Sequence, residues 1–168
     1  MLAGDVVDIL GRLDDAGIEV WLDGGWAVDA VLGEQTRPHA DLDLVVPVDD
    51  LPGLRRALDG FVEIPGGTDV NFVLRDSGVR EVDIHAIRFD EAGNGIYPMA
   101  SGTTWIFPAE GFEGRGLVDG REVRCLSAEV QMLCHAHGYV PGETDFHDML
   151  LLNARLGTRL LPPYDQDP

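Results

Sequence analysis

The amino-acid sequence predicts an α+β domain. Apolar residues recur at helical spacing at both ends of the chain, while the middle carries short stretches in which apolar and polar residues alternate. Near the start, Trp21 to Val46 (WLDGGWAVDAVLGEQTRPHADLDLVV) reads as strand, glycine turn, helix, loop, strand. Hydrophobic residues make up 45% of the 168, enough for the core of one ordinary domain, with or without a small helical appendage.

Charge narrows the partners. Thirty acidic residues stand against 12 basic ones, all of them Arg, for a net charge of −18. A polyanion would be repelled, so nucleic acid is excluded as a partner and a small cation is favoured. A nucleoside triphosphate would bind only with metal ions and a few arginines to offset that repulsion, and the absence of lysine rules out a P-loop. Cys125 and Cys134 have no metal-knuckle or redox spacing and are expected as reduced core thiols. The N-terminus carries Asp5 and Asp8 where a secretion signal would be basic, and no apolar run approaches membrane-spanning length, so a cytoplasmic location with no membrane partner is expected.

Asp5 to Ala16 is expected to form an amphipathic helix, capped by Asp5, buried along Val6, Ile9, Leu10 and Leu13, and stopped by Gly17. Val20-Trp21-Leu22 is a short strand ending at Gly24-Gly25, and Trp26 to Leu32 continues as a buried helix with Gly33 as its stop. The first turn of that helix offers free backbone N–H groups beside two glycines, an arrangement that receives anions. Pro38 biases Arg37 towards an extended conformation. If the chain is extended from Arg37 on, then Arg37, His39, Asp41 and Asp43 share one face and Ala40, Leu42 and Leu44 the other. Asp41 and Asp43 then project side by side, about 7 Å apart, a spacing that suits a pair of divalent ions with a bridging carboxylate. An EF-hand is excluded, because its calcium loop needs an oxygen donor and a glycine where Val45 and Val46 stand.

Further on, Asp49 or Asp50 caps a helix with Leu51, Leu54 and Leu58 on its inner side. Phe61 to Ile64 and Val70 to Leu74 read as strands joined by a Pro65-Gly66-Gly67 turn. In Val79 to Ile87, Val82, Ile84 and Ala86 alternate against Glu81, Asp83 and His85, giving a half-buried strand. Paired beside the Asp41 strand, it would add Asp83 as a third carboxylate. Taken singly, a Gly-Gly pair is ordinarily a turn and an Asp-x-Asp ordinarily a wet strand face. Glycine turn, helix, Asp-x-Asp strand and a later Asp together are far more specific.

Phe89 to Phe112 is rich in glycine turns, with Tyr97, Trp105 and Phe107 between them, and suits either an aromatic ligand pocket or an ordinary hydrophobic hairpin. Arg121 to Leu126 reads as the last strand. Ser127 caps a helix through His137, and Thr144 caps a final one to about Leu156, with Phe146, Met149, Leu150 and Asn153 as one stripe and His147 and Asp148 facing elsewhere. His135 and His137 cannot share a helix face, so zinc is not indicated.

Gly24-Gly25-Trp26, then Asp41-Leu42-Asp43, then Asp83 on a later strand resemble the nucleotidyltransferase superfamily. Trp21 to Trp26, Arg37-x-His39-x-Asp41-x-Asp43, Val82-Asp83-Ile84-His85 and Cys125-x-Ser127-x-Glu129 are similar to the small lincosamide nucleotidyltransferases and, next, to the aminoglycoside 2''-nucleotidyltransferases. The resemblance spans nearly the whole chain. It implies the polymerase-beta-like fold, a mixed β-sheet flanked by helices with a small C-terminal helical part, divided as a catalytic domain over 1–126 and a helical segment over 127–168 packed on it.

The activity it implies is transfer of a nucleoside monophosphate from an NTP, with ATP the expected donor, to an antibiotic hydroxyl, with two Mg²⁺ ions. Asp41, Asp43 and Asp83 would hold the metals, and Asp83 would also take the hydroxyl proton, with His85 as the rival base. Gly24 and Gly25 would cradle the phosphates, with Arg37 and His39 as charge partners; Arg37 serves a salt bridge equally well. His85, Tyr97, Trp105 and Glu129 are the candidate acceptor-binding residues. A lincosamide is the first choice of acceptor, with an aminoglycoside, a metabolite or a protein side chain as alternatives. A binding-only protein is the non-enzyme reading, opposed by the intact aspartate set. A homodimer is compatible with the resemblance.

Overall fold

A computed structural model describes residues 1–99, 102–137 and 139–166. Helix α1 (Ala3–Asp15) buries Val6, Ile9, Leu10 and Leu13 and ends before Gly17, whose φ of 71° turns the chain. It starts two residues before Asp5, which therefore acts from inside the first turn: the Leu2 N–H donates to Asp5 Oδ2 at 2.9 Å. Strand β1 (Trp21–Asp23) runs directly into α2 (Gly24–Leu32), which stops at the left-handed Gly33. Strand β2 (Asp41–Pro47) follows, then a 3-10 turn and α3 (Leu51–Ala57), which buries Leu51 and Leu54.

Strands β3 (Val62–Glu63) and β4 (Asn71–Arg75) form the expected hairpin, and β5 (Glu81–Phe89) is the longest strand. The aromatic segment folds as a second hairpin, β6 (Gly95–Pro98) with β7 (Thr104–Phe107). A third hairpin joins β8 (Arg115–Val118) to β9 (Arg121–Arg124). Helices α4 (Ala128–His137) and α5 (Glu143–Leu156) end the regular structure.

The main sheet has seven strands in the order β1-β2-β5-β4-β3, with β6 on the far end of β5 and β7 on β6. It is mixed: β2 and β5 run parallel and every other pairing is antiparallel. Alternation along the two parallel strands separates core from site. Leu42, Leu44, Val82 and Ile84 are fully buried in the largest hydrophobic cluster, beneath α1 and α3, while Asp43, Asp83 and His85 lie half-buried on the opposite face. A second cluster (Trp21, Val45, Ile87, Tyr97, Phe107, Phe112) carries the aromatic hairpin, and a third (Val28, Met132, Met149, Leu152, Tyr164) packs α4 and α5 against α2.

Other expectations differ from the structure as well: Thr144 lies inside α5, whose N-cap is Gly142. The hairpin of β8 and β9 replaces a single strand over 121–126; its Asp119-Gly120 turn, with φ of 51° and 76°, is the two-residue type that sets up a hairpin. The extended stretch begins at Asp41 rather than Arg37, because residues 34–40 are drawn off the strand line onto α2 and α5. The buried face of α5 is Asp148, Met149 and Leu152, while Phe146 and Leu150 are exposed. A buried acid interrupts the apolar pattern and moved the apparent stripe.

Candidate active site

Asp43 and Asp83 are neighbours across the parallel β2/β5 pair, and Asp23 is opposite Asp43 across the antiparallel β1/β2 pair. Three aspartates thus stand in one row across three strands. Asp43, Asp83 and His85 can each offer one ligand atom within 4.8 Å of the others. Asp41, two residues before Asp43 on the same face, is exposed at the rim of the same cavity. The tight acidic group is therefore Asp43 with Asp83, and Asp41 stands outside it.

The joint between β1 and α2 brings a helix N-terminus against this row. Gly24 has a φ of 59°, and a Cβ there would strike Asp43 Oδ2, so the turn requires glycine for both reasons. Asp23 caps the helix: its Oδ1 accepts from the Gly24 N–H and from Gln131 Nε2, both at 2.8 Å. Gln131 is fully buried, so α4 fixes Asp23 through a bond inside the protein.

Burial, first, raises the pKa of Asp43; His85 works against that shift, and the fields of Asp23 and Asp41 add to it. Asp83 is raised in the same way, by burial with Asp41 and Asp23, again against His85. For His85 burial disfavours the charge, but its pairing with Asp43 and the fields of Asp23 and Asp83 win and push it up to about 9. Its Nε2 is 3.6 Å from Asp43 Oδ1 and its Nδ1 is 3.3 Å from the Tyr97 hydroxyl. Asp83 Oδ1 is buried without a hydrogen-bond partner. A half-buried, mutually repelling set of carboxylate oxygens with one orphaned atom is a donor set suited to a hard divalent cation.

These groups open into one cavity of about 420 Å³. Opposite the aspartates, its wall is apolar and aromatic: Tyr97, Met99, Trp105, Phe107 and Cys134. The aromatic segment is thus both a hairpin and a pocket wall. At the end formed by α4 and α5, Asp145 Oδ1 accepts from the Tyr139 hydroxyl at 2.5 Å and lies 2.9 Å from His135 Nδ1. His135, Tyr139 and Asp145 all line the cavity. Asp23 and Asp145 had no role in the sequence reading, since strand register and helix docking bring them in.

Arg37 and His39 line the cavity too, but each is already engaged. Arg37 forms a two-point pair with Asp148, Nε to Oδ1 at 3.0 Å and Nη2 to Oδ2 at 2.7 Å, so Asp148 is buried behind Arg37. His39 Nε2 is 2.5 Å from Asp29 Oδ2, and Asp29 Oδ1 accepts from both the backbone and hydroxyl of Thr36. Glu129 is not brought to the cavity: it is exposed on the first turn of α4, whose inward face is Val130, Gln131, Met132 and His135.

The model of the aminoglycoside-2''-adenylyltransferase family matches residues 5–152. The chain belongs to this family. Family membership makes it an antibiotic-modifying nucleotidyltransferase, and the mixed sheet is the nucleotidyltransferase fold that the motifs implied. It is 29% identical over 146 residues to a lincosamide resistance protein of Staphylococcus haemolyticus, covering 84% of this chain and 88% of the relative. It is 36% identical over 134 residues to a 2''-aminoglycoside nucleotidyltransferase of Escherichia coli, covering 72% of this chain and 65% of the relative. Among solved structures it is similar to lincomycin-bound lincosamide adenylyltransferase LnuA, with a TM-score of 0.77 and 25% identity over 90% of this chain and 96% of that one. It also shares the fold of ANT(2'')-Ia in complex with adenylyl-2''-tobramycin, with a TM-score of 0.75 and 24% identity over 92% of this chain and 89% of that one.

Proposed function

We propose that this family member transfers a nucleoside monophosphate from ATP to a hydroxyl of a lincosamide, in a Mg²⁺-dependent reaction that releases pyrophosphate. The observation that carries the reading is Asp43 beside Asp83 at the N-terminus of α2, with Asp83 Oδ1 buried and unpartnered. Asp41, Asp43 and Asp83 would hold two Mg²⁺ ions, whose chemistry when bound is to offset the charge of the triphosphate. Gly24 and Gly25 line the cavity at the helix N-terminus and let Asp43, Arg37 and His39 close over the first turn, where phosphate oxygens would be received.

Asp83 takes the proton of the acceptor hydroxyl. The acceptor oxygen bonds to the α-phosphorus, the bond from that phosphorus to the α–β bridging oxygen breaks, and its electron pair leaves with pyrophosphate. His85, paired with Asp43 and facing Tyr97, orients the carboxylate row. Tyr97 and Trp105 give the acceptor an aromatic wall, on which a thio-sugar packs and near which a protonated amine is welcome. In this division residues 1–126 supply the chemistry, and 127–168 close the acceptor end through His135, Tyr139 and Asp145.

An aminoglycoside is the second reading, favoured by the acid lining: Asp23, Asp41 and Asp145 border the same cavity and suit a multiply charged amine. Pyrophosphate release from Mg²⁺-ATP separates the two, measured with lincomycin, clindamycin, kanamycin or no acceptor, the product being weighed by mass spectrometry. Release with the lincosamides alone supports the first reading. Release with kanamycin alone replaces it, and no release with any acceptor or nucleoside triphosphate overturns both.

A further inference from the structure

We propose that Asp148 and Asp29 are positioning residues for nucleotidyl transfer, holding Arg37 and His39 as a preformed pair of donors for the phosphates that leave as pyrophosphate. The inference rests on the nucleotide reading given above and concerns the two carboxylates behind it.

The geometry is convergent. A Cβ on Gly25 would lie 2.5 Å from Arg37 Nη2 and 2.5 Å from His39 Nδ1, so both nitrogens sit over the same point at the first turn of α2. Each is backed by a carboxylate on its other side. Asp148 grips Arg37 through Nε and Nη2, and Nη1 donates to the Pro38 carbonyl at 3.2 Å, so one N–H each of Nη1 and Nη2 remains for a second partner. Asp29 holds His39 at Nε2, which turns Nδ1 towards Gly25, where it donates to a phosphate oxygen as the imidazolium form, while the ring lies 4.5 Å from the Trp26 ring. Both carboxylates are inside the protein, Asp148 1% and Asp29 2% exposed, and His39 is only 6% exposed.

Charge makes the arrangement more than a brace. Among the described residues lining the cavity Arg37 is the one arginine, against Asp23, Asp41, Asp43, Asp83 and Asp145. A triphosphate entering this field needs its cationic partners fixed in advance, because a free arginine side chain would surrender its mobility on binding. Asp148 lies on α5 and Asp29 on α2, so the two donors are set by separate elements, and Arg37 joins the C-terminal helix to the phosphate end of the cavity.

A purely structural role for the two aspartates predicts something different from a positioning role, and binding by the intact chain distinguishes them. Calorimetric titration with Mg²⁺ would use three probes: α,β-methylene-ATP, pyrophosphate and AMP. Asp148→Asn and Asp29→Asn are each expected to weaken the ATP analogue and pyrophosphate about tenfold and to leave AMP within about twofold, since AMP lacks the outer phosphates. Arg37→Lys, which keeps the charge and loses the fork, is expected to give the same pattern. Asp148→Asn added to Arg37→Gln should cost nothing further, because Asp148 acts through Arg37. Equal weakening of all three probes, unchanged pyrophosphate binding, or an additive double variant would overturn the inference and leave the nucleotide reading standing. No binding of the ATP analogue by the unaltered chain would overturn both.

Discussion

Two pairs of aspartates behave oppositely around one cavity, one pair lining it and the other buried behind residues that do. Asp43 and Asp83 face each other with their pKa values raised, and one oxygen of Asp83 has no partner. Asp29 and Asp148 are more deeply buried, yet each is matched to a partner side chain, His39 and Arg37. Burial itself therefore does not mark a functional carboxylate; the missing partner does. Asp83 Oδ1 is left in want of a cation, and the second pair has its partners built in.

The contrast is most sharply broken at Asp83. Asp83→Asn is expected to lower kcat by about 10³-fold while leaving the thermal midpoint unchanged or higher, because it removes the proton acceptor together with a repelling charge. Rapid-quench pyrophosphate release and calorimetry measure the two effects side by side; a lost midpoint would place Asp83 with the buried, partnered pair. Asp29→Ala is expected to destabilise the fold by about 3 kcal/mol in urea titration, since it leaves His39 and Thr36 without their buried partner. Gly25→Ala comes next. Its methyl group would push Arg37 and His39 apart, and binding of α,β-methylene-ATP should weaken about tenfold.

Acid should unfold the protein through the paired set. Burial works to raise Asp29, but its bonds to His39 and Thr36 prevail and hold it below the ordinary carboxylate range; for Asp145, Tyr139, Gly142 and His135 prevail over burial in the same way. A depressed folded value means that the stabilisation is fully present above the unfolded pKa of about 4 and is lost as the pH falls through the folded value. Urea midpoints taken from about pH 6 to pH 3 should fall more steeply for the unaltered chain than for Asp29→Asn. The smallest effect belongs to Glu129→Gln, exposed and away from the cavity, for which kcat/KM should stay within about twofold.

Legibility in the sequence follows the same division. The neighbourhood of Gly24-Gly25, Asp43 and Asp83 was legible because short-range spacing and strand alternation place them, and the helices over 3–15 and 24–32 announce themselves by period and by their glycine stops. Asp23 was not readable, since its place depends on an antiparallel register with Asp43 and on a bond from Gln131 more than a hundred residues away. Asp148 was read as facing outward because a buried acid looks like a surface residue until its arginine, 111 positions earlier, is found. The β8/β9 hairpin, by contrast, had its signal in plain sight in Asp119-Gly120.

The parallel pairing of β2 with β5 puts Leu42, Leu44, Val82 and Ile84 on one side and Asp43 and Asp83 on the other. A slip of one residue would turn those aspartates inward and the leucines out, so an inactive register is also an unfolded one. Quality control in a cell, which inspects exposed hydrophobic surface and never tests catalysis, would nonetheless discard the chains in which this carboxylate row is misassembled.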